Sequence, residues 1–89
     1  MRLFQEKFKD IFELPDEVIA DLPLIMITGH RKLLLENHKG IAAYNRETVK
    51  IRIKNGYLII EGRRLEIEEI QSEHLQLSGT INKICFDRK

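Results

Sequence analysis

Apolar positions along this chain follow two different periods. Over residues 2–13, Phe4, Phe8, Ile11 and Phe12, with Leu3 beside them, recur at i, i+4, i+7 and i+8, while Glu6, Lys7, Asp10 and Glu13 take the other side. That spacing predicts an amphipathic helix. Pro15 interrupts it, and Asp16 and Glu17 suit the start of a second short turn over 15–20. From Leu22 onward the period drops to two. Short apolar runs alternate with Gly, Asn and charged turn residues at strand-and-turn spacing.

The clearest run is 48–62. Val49, Ile51 and Ile53 alternate with Lys50, Arg52 and Lys54, and Asn55-Gly56 follows at once. Alternation puts the β-branched residues on one face, and Asn-Gly predicts a two-residue hairpin turn of type I′. In that register Lys54 faces Tyr57, Ile53 faces Leu58, Ile51 faces Ile60 and Lys50 faces Glu61. Ile51, Ile53, Leu58 and Ile60 then form one apolar patch, with a Lys50–Glu61 ion pair on the other face. Further predicted strands are 22–28, 32–36, 41–44, 65–70, 75–78 and 81–86. Leu65 and Ile67 point inward, Gly62-Arg63-Arg64 makes a turn, Gly79 marks a bulge or bend, and a second bulge falls between Ile81 and Ile84. The sequence therefore predicts a mainly β fold: about eight short, mostly antiparallel strands in a small sandwich or curled barrel. Residues 1–21 form an N-terminal helical segment and residues 22–89 the all-β domain.

Composition narrows the function more than the fold. The chain has 89 residues and a net charge of +1, a balance that gives no reason to expect a nucleic-acid partner. Charge is uneven, with seven bases against two acids over 22–56, so the middle strands are the basic part. A single cysteine, Cys85, excludes an internal disulfide and favours a reducing compartment. Its neighbours Ile84 and Phe86 make it read as a buried thiol filling core. No apolar run reaches membrane-spanning length; the expectation is a soluble or peripheral protein.

Candidate chemistry is sparse. His30, His38 and His74 lie at predicted turns with no ligand spacing, and no phosphate loop or nucleophile motif is present. The expectation is a non-enzyme without metal or cofactor. Lys50, Arg52 and Lys54, with Arg31, Lys32 and Lys39 nearby in sequence, are candidates for an anionic surface such as lipid or cell-wall polymer. The blander reading pairs them with Glu61, Glu66 and Glu68 across strands. Candidate partner contacts are Phe4, Phe8 and Phe12 on the helix, Tyr57 on the outer hairpin face, and His38 and Lys39 in the loop 36–40. In that loop Asn37 fits an Asx-turn and Gly40 a positive φ, while His38 and Lys39 have no evident structural reason.

The order of these residues resembles the YabP/YqfC sporulation proteins. The residues that carry the likeness are Leu22-Pro23 before an apolar strand, Glu36-Asn37-His38-Lys39-Gly40-Ile41 with Tyr44, Val49-x-Ile51, Gly56-x-Leu58-x-Ile60-x-Gly62-x-x-Leu65-x-Ile67, and Leu77-x-Gly79-x-Ile81-x-x-Ile84-x-Phe86. The Glu-Asn-His-Lys-Gly segment and the order of glycines are its specific part. The likeness covers residues 14–87 and is greatest to the YqfC branch, whose N-terminal extension is like residues 1–21. It implies a small sporulation protein of the mother cell, acting near the forespore envelope, cytoplasmic or peripheral to the forespore membrane. It further implies a membrane-protein partner of the YqfD type, and no catalytic residues. The leading expectation is an assembly or adaptor protein, with self-association as a further contact.

Overall fold

The structure, a computed structural model, describes residues 21–88. The predicted N-terminal helix, with Phe4, Phe8 and Phe12, lies outside the described residues.

Six strands form one antiparallel sheet: β1 (Leu24–Thr28), β2 (Lys32–Glu36), β3 (Ile41–Tyr44), β4 (Thr48–Ile53), β5 (Gly56–Ile70) and β6 (His74–Arg88). Their spatial order is β1-β2-β6-β5-β4-β3. The sequence predicted about eight strands because Gly62-Arg63-Arg64 read as a turn and the bend at Gly79 separated two further short strands. Gly62 and Gly79 instead bend β5 and β6 without ending them. A Cβ at Gly62 would overlap the Thr80 carbonyl oxygen, and one at Gly79 would stand 2.6 Å from the Arg64 carbonyl oxygen. Only glycine lets the two backbones come that close. The predicted turn at Gly62-Arg63-Arg64 is a bulge: Arg63 pairs with Thr80 and Glu66 with Ser78, two residues of β5 opposing one of β6. The slip expected between Ile81 and Ile84 is present, with Asn82 as the extra residue between the Gly62–Ile81 and Glu61–Lys83 pairs.

The bends divide the β5–β6 hairpin into two arms. One arm carries β4 and β3, the other β2 and β1. The sheet curls so that both arms face one interior. Leu33 and Leu35 of β2 enter the same cluster as Val49, Ile51 and Ile53 of β4, although β6 and β5 lie between them in the sheet. Leu58, Ile60, Leu65, Leu75, Leu77 and Ile81 complete it. Among the described residues β1 and β3 remain edges, so hydrogen bonding does not close a barrel.

The β4–β5 hairpin forms, with a different register. Ile53 pairs with Gly56, Ile51 with Leu58, Val49 with Ile60 and Lys50 with Ile59. The turn residues are Lys54 and Asn55, and Asn55 takes φ 65. Lys54 is absent from the positive-φ positions, so the predicted type I′ turn is not the one adopted. The shift moves each partner by two residues. Because strands have period two, the inward set is unchanged, and Ile51, Ile53, Leu58 and Ile60 are all buried. The predicted Lys50–Glu61 pair is lost; Thr48 faces Glu61.

Candidate functional site

The loop after β2 is built inward. Asn37 takes φ 67, its backbone N–H donates to the Glu73 carbonyl (2.7 Å), and its side-chain amide donates to the Leu22 carbonyl (2.6 Å). It joins the start of the domain to the β5–β6 turn and does not close the expected Asx-turn. His38 is 5% exposed. The Gly40 N–H donates to His38 Nδ1 at 3.0 Å, which places the ring proton on Nε2, and Nε2 donates to the Gln71 carbonyl at 2.8 Å. The sequence offered no structural reason for His38; the fold supplies one and withdraws the imidazole from the surface. Lys39 is exposed, with its backbone N–H donating to the Arg52 carbonyl.

The cations of β4 are not aligned as one free face. Lys50 Nζ lies 4.3 Å from the centroid of the Tyr57 ring, close enough for a cation–π contact. Arg52 Nη1 donates to the Ile41 carbonyl at 3.0 Å, and Lys54 pairs with Asp21 at 3.3 Å. Of the acids expected opposite them, Glu66 pairs with Arg46 at 3.5 Å. Tyr57 is half-buried on the outer face, in the row that contains Arg52 and Asp87. Cys85 is half-buried beside Ile59 on that same outer face, not in the core. Among the described residues no three His, Cys, Asp or Glu side chains converge to hold a metal, and no helix is long and apolar enough to cross a membrane.

The first predicted strand, 22–28, where Pro23 fits the start of a strand or an edge, is the edge strand β1. Its five residues, Leu24-Ile25-Met26-Ile27-Thr28, contain no charge and no proline. Leu24 is buried and Ile25 packs on the core, whereas Met26 is 38% and Ile27 47% exposed. Edge strands are normally blunted by charge, proline, bulges or shortness. The other edge, β3, follows that rule: it has four residues, and its register shifts between Ile41 and Ala43. Beside Pro23, the signal in the sequence was an apolar strand without polar alternation. That pattern also describes a fully buried strand.

Residues 22–89 match the YabP family. YqfC of Bacillus subtilis (strain 168), described as an uncharacterized protein, is 35% identical over 74 residues, which is 83% of this chain and 80% of YqfC. The match begins just before β1 and covers both long bent strands, the buried Asn37-His38 loop and the β1 edge. The chain belongs to the YabP/YqfC family.

Proposed function

We propose that this protein is a sporulation factor that works by protein contacts and not by catalysis, as an assembly or adaptor component. Its place is the mother cell, near the forespore envelope, with a YqfD-type membrane protein as partner and a second copy of the chain as a further contact. The observation that carries this reading is the β1 edge, a charge-free strand with Met26 and Ile27 exposed. An open edge recruits another strand through main-chain hydrogen bonds, and its side chains add specificity. Two copies of β1 paired antiparallel about Met26 would set Ile25 against Ile27 with no like-charge repulsion.

Light scattering on purified protein at two concentrations tests the reading. The expected result is a mass that rises with concentration, and an Ile27→Lys variant that stays monomeric at both. Co-purification from sporulating cells, with and without residues 1–13, tests the partner. A strict monomer that captures the same partners after both changes would remove the proposal.

A further inference from the structure

Three chain segments remote in sequence meet beside the bend of the long hairpin. The β1–β2 turn arrives there because Gly79 N–H donates to the Arg31 carbonyl at 3.1 Å, and because Lys32 pairs with Ser78. The β5 bulge arrives because Gly79 lets the Arg64 backbone approach closely. Together they form a cleft of about 500 Å³ lined by three cations, Arg31, Lys32 and Arg64, by Ser78, Gly79 and Thr80, and by one acid, Glu68.

The cations of this cleft form no ion pair among the described residues, whereas Lys50, Arg52 and Lys54 are each engaged. Among the described residues the ion pairs are Arg46–Glu66 and Lys54–Asp21, and none of Arg31, Lys32 or Arg64 takes part in one. Arg64 also holds φ 54, a left-handed conformation that a long side chain seldom adopts. Asn or Gly would accept that conformation more readily, as Asn37 and Asn55 do elsewhere in this chain. A strained residue of this kind points to a use for its side chain. Three positive charges against the single Glu68 leave an excess of two. A phosphate monoester carries about −1.5 to −2 at neutral pH and accepts paired N–H donors from a guanidinium.

We propose that this cleft binds a phosphate monoester group, carried either on a lipid headgroup or on a small soluble molecule. The site does not depend on the β1 contact: Ile27→Lys should leave phosphate binding intact, and the cleft variants should leave self-association intact.

Two probes separate the sources. Inorganic phosphate is titrated while the amide resonances of Ser78, Gly79 and Thr80 are followed, and vesicles containing phosphatidic acid are compared with phosphatidylcholine vesicles in co-sedimentation. Saturable shifts at those amides without vesicle binding identify a soluble ligand. Co-sedimentation with the phosphatidic acid vesicles identifies a headgroup. In either case Arg64→Gly should weaken binding by about tenfold or more, while its unfolding midpoint holds or rises because glycine accepts the backbone angle. Arg31→Ala, in an exposed turn, should repeat the loss, and Glu68→Gln should tighten binding. Arg88→Ala, opposite Gly56 at the far end of the hairpin, should change nothing. Silence from both probes, or an Arg88→Ala loss equal to that of Arg64→Gly, would overturn the site.

Discussion

His38 shows how far the surroundings decide what a residue does. Both ring nitrogens are occupied, one by the Gly40 N–H and one by the Gln71 carbonyl, so the imidazole links the loop after β2 to the end of β5. Truncation leaves those two backbone groups with no protein partner. His38→Ala should therefore lower stability by about 1–3 kcal/mol, read from denaturant unfolding. The two bending glycines should be about as intolerant. Gly62→Ala drives a methyl into the Thr80 carbonyl, an overpacking worth about 1–3 kcal/mol. Gly79→Ala adds a disfavoured φ of 132 to a similar clash, so it should be the more damaging of the two in the same measurement. Both glycines were visible in the sequence. The reason for each was not, because it lies in a carbonyl from another segment.

At the level of elements, period and register separate cleanly. Alternation fixed which side chains of β4 and β5 face inward, and the structure keeps all four. The partner assignments shifted by two because the turn uses Lys54 and Asn55 and not Asn55 and Gly56. A shift of two preserves the faces and alters only the cross-strand neighbours. That is why the apolar patch survived while the Lys50–Glu61 pair did not. Lys50, half-buried, instead meets the half-buried Tyr57, a cation–π contact worth about 0.5–2 kcal/mol. The edge strand is a second case. Ile27 is 47% exposed, so Ile27→Lys should change monomer stability by no more than about 0.5 kcal/mol. A large loss of stability in this variant, measured at a concentration where the protein is monomeric, would mean that β1 is covered within the molecule.

Across the whole molecule, one interior serves both arms of the bent hairpin. Leu58 of β5 is fully buried in the cluster that also holds Leu33 of β2 and Ile51 of β4. Leu58→Ala should cost about 2–5 kcal/mol. Because the arms share that core, hydrogen exchange should quicken in β2 as well as in β4 and β5. Protection lost in one arm alone would show that the arms are separate cooperative units. The curl also redistributes charge. The sequence placed the basic part on the middle strands, where Lys50, Arg52 and Lys54 are engaged within the chain. Arg31 and Lys32, adjacent at the β1–β2 turn, are brought beside Arg64 of the β5 bulge, more than thirty positions further on.

The sequence by itself determined the mainly β character of residues 22–88, the inward face of the β4–β5 hairpin, the bulge near Asn82 and the family. These are local or patterned properties, written in the spacing of side chains along a pleated backbone. The tertiary structure alone decided that β5 and β6 run on through their glycines, that His38 turns inward, that β1 becomes an edge, and that Arg31, Lys32 and Arg64 meet. Each of these depends on a contact between segments distant in the chain. A side chain's spacing from its neighbours in sequence carries no information about which carbonyl, ring or empty edge will lie opposite it once the sheet has curled.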